Sequence, residues 1–176
     1  SLDKMRYVAL AVNRKSGYRV SVLLQRKSYT NALIDDTVFF AKQHEMNVKL
    51  LIADQGSEYN CARFIGHAHQ NGIAVGFTNI KSPAQNGLVE RQWRLLKDSA
   101  RTMLHSCKLP LVFWSFCVSY SVMIFNAAPR KELEGKSPYE YHTGRGPNTK
   151  FWLIFGADAI LTGHVSGDHR RSPFSL

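Results

Sequence analysis

An apolar run that stops on a carboxylate is the feature that most limits how this chain folds. VKLLIAD (48–54) has the composition of an interior strand, and its last residue, Asp54, stands two positions before Gly56. A buried strand that ends on an acid and turns at once on a glycine puts that carboxylate at the edge of a sheet, facing solvent or a ligand. Such a position suits a metal ion. An isolated Asp-x-Gly equally serves as a loop residue or as the cap of the helix that follows.

The neighbouring segments say what kind of sheet this is. RYVALAV (6–12) and YRVSVLLQ (18–25) are strand-like and flank NRKSG (13–17), which has turn chemistry, so the chain opens as a β-hairpin. A helix is predicted over 28–46, with a Ser or Thr cap and with Leu33, Val38, Phe39 and Met46 at helical spacing. A second helix over 60–72 stops at Asn71 and Gly72, and IAVGFT (73–78) is a short strand. Strand, strand, helix, strand, helix, strand and then helices describe an α/β domain with a mixed sheet and helices packed on it.

With 176 residues, of which 44% are hydrophobic, the chain can bury one sizeable core. It carries 23 Lys and Arg against 13 Asp and Glu, a formal charge of +10. That balance favours a polyanionic partner such as nucleic acid, unless the charge is spread over a generally solvated surface. Cys61, Cys107 and Cys117 form no Cys-x-x-Cys pair, and an odd number argues against a disulfide framework. LPLVFWSFCVSYSVMIF (109–125) is interrupted by serines and reads as a buried amphipathic helix, so no membrane partner is expected. The opening SLDKM has no initiator Met, as in a trimmed piece of a longer chain.

KSPAQNG (81–87) reads as a loop before a long helix over about 86–106, whose apolar side is Leu88, Leu95, Leu96, Met103 and Leu104. Glu90, expected in its first turn, is followed by Arg94, Lys97 and Arg101 at spacings that put all four on one stripe. Arg91 widens the basic surface. Taken alone, the stripe is equally a solvated face with pairs of opposite charge.

Between Asp54 and Glu90 lie 35 residues. DQGSEY and SPAQNGLVERQWRLLKDSARTML, followed by LPLVFWSFCV and GKSPYEYHTGRGPN, resemble in order the motifs of the integrase catalytic core of copia/Ty-type LTR retrotransposon Pol polyproteins. The match includes the D-x35-E part of the signature that retroviral-type integrases share. The resemblance implies an RNase H-like α/β fold and DNA integration by metal-dependent strand transfer. Asp54 and Glu90 would hold Mg2+ or Mn2+, hard cations that take oxygen ligands. Arg91, Arg94, Lys97 and Arg101 would bind DNA, both element ends and target, with RNA a second candidate polyanion. Gly87 would allow a tight turn beside the site. The resemblance further implies a homo-oligomer, a location in nucleus and cytoplasm, a core over 1–128 and a C-terminal extension over 129–176.

The departures are as informative as the match. The family's first carboxylate lies on a strand before the hairpin, and the present sequence starts at the loop after it. The expectation is a sheet without its first strand, exposing Val8, Leu10 and Val12, and a chain inactive on its own. Asp3 falls in the wrong place to substitute, and Asn13 stands at a separate position where the family has an acid. A noncatalytic nucleic-acid-binding module is the alternative. His67 and His69 point in different directions from a helix and read as structural. Glu58 reads as a supporting or helix-start carboxylate, Trp93, Trp114 and Trp152 as core or interface aromatics, and Tyr59 as a candidate DNA contact.

Overall fold

The structure, a computed structural model, describes residues 1, 3–78, 83–150 and 152–157, with backbone only at 83–86 and 88. Strands β1 (Tyr7–Val12) and β2 (Arg19–Leu24) form an antiparallel hairpin in which Leu10 faces Ser21. Its turn is closed by the sequence itself: Asn13 Oδ1 accepts from the backbone N–H groups of Lys15 and Ser16, each at 3.0 Å. Gly17 is obligatory there on two counts. Its φ is 71°, and a Cβ would collide with Nη1 of Arg130, whose guanidinium donates to the Ser16 carbonyl at 3.1 Å.

Helix α1 (Asn31–Gln43) follows a short 3-10 turn at Lys27–Tyr29. Thr30 stands at its N-cap, but its hydroxyl donates to the Glu58 carbonyl at 3.0 Å instead of capping the helix. Strand β3 (Leu50–Ala53), helix α2 (Ala62–Gln70) and strand β4 (Ala74–Phe77) then form a strand–helix–strand unit, β3 pairing parallel with β4. Asn71 and Gly72, the latter at φ 72°, end α2 as expected. The chain continues with α3 (Pro83–Ser106), α4 (Trp114–Ala127) and α5 (Pro138–Thr143).

Antiparallel and parallel pairing are both present, in two separate two-stranded sheets. Among the described residues neither β1 nor β3 pairs with a second strand. Helices cover both faces of the hairpin. Ala9 and Leu24 pack on Leu33 of α1, while Leu10 packs on Leu96 of α3 and Val122 of α4. Val8 and Val12 face the same helices, so the three residues expected to be exposed are covered. The reason is geometric: an unpaired edge bares backbone N–H and C=O groups, whereas side chains leave perpendicular to the sheet.

The β3–β4 pair differs. Ile34, Phe64, Ala68 and Ile73 form its core with Leu51 and Val75, but Leu50 and Ile52 on the other face are 54% and 53% exposed. The interior-strand composition of 48–54 therefore serves one buried face among the described residues. The three cysteines are free. No single helix among the described residues is long and apolar enough to cross a membrane. In α4 the fully buried side chains include Ser115 and Ser121, the latter bonded to the Cys117 carbonyl at 2.8 Å, while Phe116 is 45% exposed. Ser115 also holds Asp3, whose carboxylate accepts its hydroxyl at 3.1 Å at the start of α4.

The long helix begins earlier than the sequence suggested. Its first residue is Pro83, a residue pre-set for the first helical turn, so Gly87 lies inside the helix and Glu90 two turns in. A Cβ at Gly87 would meet nothing within 4 Å. Gly87→Ala is therefore expected to raise unfolding stability by about 0.5–1 kcal/mol, read from urea denaturation.

The described part of the C-terminal segment packs back on the hairpin turn. Ser16, fully buried, shares a 2.7 Å hydrogen bond with Nε2 of His142 on α5. Burial, and then the neighbouring His44, pulls the His142 imidazole below its ordinary 6.5. The unfolded chain then takes up this proton at a higher pH than the folded one. The contribution is present above pH 6.5 and is lost as pH falls through the folded value. Melting midpoints measured from about pH 7 to 5 should fall on acidification, and less steeply in His142→Gln.

Candidate functional site

Asp54 is exposed immediately after the last residue of β3, at the C-terminal end of a strand in a parallel pair. Its Oδ1 accepts the Gly56 N–H at 3.1 Å, which turns the carboxylate back over the loop. Glu58 is brought to the same place. A Cβ at Gly56 would lie 3.0 Å from Asp54 Oδ1 and 3.0 Å from Glu58 Oε2, so both carboxylates border one point above the glycine. Tyr59 registers them: burial pushes its phenol up to about 12, with Asp54 and Glu58 adding to the effect. The Tyr59 ring packs edge-on against Phe64 at 5.3 Å, which makes it a core residue as well as a neighbour of the acids.

Glu90 is exposed on α3. The helix has two clear sides. Gln92, Leu96 and Ala100 are buried at four-residue spacing, and Glu90, Arg91, Arg94, Lys97 and Arg101 are all exposed. Leu95, expected on the apolar side, is 42% exposed, because position 95 falls between the buried rows. Among the described residues only Arg101 of the stripe has an acidic partner, Asp98 at 3.7 Å, and both side chains are well exposed, so the pair adds little stability. No hydrogen bond or ion pair joins Asp54 to Glu90 among the described residues.

Two bases near Asp54 carried no signal in the sequence. Lys27 and Arg63 line a cavity of about 310 Å³ with Ser28, Asn31, Ser57 and Glu58. The N-termini of α1 and α2 adjoin it, and neither has a side-chain cap, so their partial positive charge adds to that of the two bases. Lys27 and Arg63 are ordinary surface residues in sequence; folding sets them together. Arg19, equally without a signal in the sequence, is only 5% exposed and reaches Gln92.

The remaining candidates resolve by contact. His67 pairs through Nε2 with Asp35 at 2.6 Å, linking α2 to α1. Trp93 and Trp114 pack into the clusters formed with α4. Asn13 builds the hairpin turn. The oxygen donors of Asp54, Glu58 and Glu90 fit a hard divalent cation in kind. In number, no three His, Cys, Asp or Glu side chains are grouped to hold a metal among the described residues.

No family model matches the chain. It is 27% identical over 161 residues to the retrovirus-related Pol polyprotein from transposon RE2 of Arabidopsis thaliana, covering 89% of this chain and 11% of the relative. It is 29% identical over 123 residues to that from transposon TNT 1-94 of Nicotiana tabacum, covering 70% and 9%. To the transposon Ty1-DR6 Gag-Pol polyprotein of Saccharomyces cerevisiae it is 28% identical over 129 residues, covering 72% and 7%. The chain thus spans roughly a tenth of the length of these polyproteins. Among solved structures, a simian T-cell lymphotropic virus intasome bound to the PP2A regulatory subunit B56 gamma aligns with a TM-score of 0.62 at 18% identity, over 89% of this chain and 53% of that one. The catalytic core domain of BIV integrase aligns with a TM-score of 0.57 at 22% identity, over 77% and 84%.

Proposed function

We propose that this chain, which is related to copia/Ty1-type retrotransposon Pol polyproteins and has the RNase H-like fold of an integrase catalytic core, supplies part of the site at which an integrase joins element ends to target DNA. The observation that carries the reading is the exposed Asp54 just past a parallel strand, with Glu58 turned to the same point. Asp54 and Glu90 are the proposed metal ligands, and Mg2+ or Mn2+ the ions, because hard cations take carboxylate oxygens. A bound ion supplies Lewis-acid stabilisation of charge on the phosphodiester. Glycine at 56 keeps the acids close, and its N–H orients one oxygen of Asp54 while leaving the other for a ligand.

The basic stripe of α3 is the proposed DNA track. At 1.5 Å per residue, Arg91 to Arg101 covers about 15 Å, roughly four base-pair steps of 3.4 Å. Lys27 and Arg63 offer phosphates a second place beside Glu58. A homo-oligomer is part of the same proposal, supported by likeness to a chain from an intasome. RNA would meet the same charges.

One observation favours a second reading, a noncatalytic nucleic-acid-binding module: no three metal-binding side chains are grouped among the described residues. Both readings require the stripe. Reversing Arg94 and Arg101 to Glu should weaken duplex binding and flatten its salt dependence, by roughly 0.9 in slope for each phosphate no longer neutralised. Unchanged affinity and slope would make the stripe a solvated face.

Strand transfer separates the readings. A site of this kind uses three carboxylates, of which Asp54 and Glu90 are two, so the 176-residue chain is expected to be inactive alone. An extended chain with an aspartate-bearing strand ahead of Ser1 should gain activity. The check is a strand-transfer assay with Mg2+ and with Mn2+, using Asp54→Ala as control. Product from the 176-residue chain that vanishes in the control would reveal a further ligand within it.

A further inference from the structure

Arg19 is an expensive residue for the place it occupies. It opens β2, is 5% exposed, and meets no carboxylate among the described ion pairs. Its backbone is clamped by Asn126 of α4, which accepts from its N–H and donates to its carbonyl, each at 2.8 Å. The guanidinium lies 4.7 Å from the centre of the Phe125 ring and donates through Nη2 to Oε1 of Gln92, itself 4% exposed. Its Nε has no hydrogen-bond partner among the described residues. Burial, and then the charge of Arg130, pulls the guanidinium down to about 10. A buried cation paired only with a neutral amide is a poor source of stability, since an apolar pair of similar volume commonly does as well or better.

What an apolar pair would not do is fix direction. The other contacts of this half of α3, through Trp93 and Leu96, are hydrophobic and tolerate rotation of the helix about its axis. A hydrogen bond is directional. We infer that the Arg19–Gln92 contact is a positioning device, which sets the rotation of α3 and with it the direction in which Glu90 leaves the helix. Gln92 lies two residues, about 200°, round the helix from Glu90, so a clamp on the buried side aims the exposed side. A rotation of about 20° would swing a side-chain end some 5–6 Å from the axis by about 2 Å. Ligands need placing to within about 0.5 Å. The inference rests on the reading of Glu90 as a metal ligand.

The experiment measures Mn2+ binding to the purified 176-residue chain by the free-ion EPR signal, alongside thermal melting. Arg19→Met combined with Gln92→Leu replaces the polar pair with an apolar one. The expected result is a melting midpoint equal to or above the parent's with Mn2+ affinity reduced by about tenfold or more, the loss usual when a residue orienting a ligand is removed. Gln92→Glu keeps both the shape and the acceptor, and should keep the affinity within about twofold. That variant decides the matter if the double variant does not fold, since a tenfold loss there would overturn the inference. Unchanged affinity in a folded double variant would also overturn it, while Asp54→Asn still weakening Mn2+ binding would leave the site reading intact. If neither Asp54→Asn nor Glu90→Gln alters Mn2+ binding, the site reading itself fails and the inference falls with it.

Discussion

Two consecutive residues of α1 hold this fold together. Leu33 packs into the hairpin cluster with Ala9 and Leu24, and Ile34, fully buried, packs into the β3–β4 cluster with Phe64, Ala68 and Ile73. The two sheets share no ladder, so the helix that touches both relates one to the other. Neighbours on a helix differ by about 100° in direction, which is why one helix can serve two apolar surfaces. Losing either side chain would remove roughly 2–5 kcal/mol, a large part of the stability of a domain this size.

The same logic of faces governs α3. Its buried row of Gln92, Leu96 and Ala100 seats it on β1 and α4, and this leaves the acid and bases of the opposite row in solvent. Charge is thereby concentrated along one helix without any need for buried counter-ions, apart from Arg19. That exception sits where the helix is otherwise held by non-directional contacts.

Around Asp54 the local chain does most of the arranging. The strand end, the Gly56 N–H and the following turn fix one carboxylate and bring Glu58 beside it, and Tyr59 anchors the turn in the core through Phe64. Two like charges at one glycine repel unless a cation or water lies between them. The neighbouring cavity, with Lys27 and Arg63, supplies positive charge within the same corner of the molecule.

The sequence by itself determined the elements and their order, because apolar periodicity, turn residues and caps act over a few positions. The Asn13 turn, the Asn71–Gly72 stop and the two-sided helix carrying Glu90 through Arg101 were legible for that reason. It misjudged what depends on packing. Pro83 starts a helix where Pro, Asn and Gly suggested a loop, since proline is at home in a first turn and the glycine penalty is small. Leu95 is exposed and Val8 and Val12 are covered because α3 and α4 lie where they do. Only tertiary structure could join Lys27 to Arg63, Ser16 to His142 or Arg19 to Gln92, for these pairs are distant in sequence and no local pattern encodes their meeting.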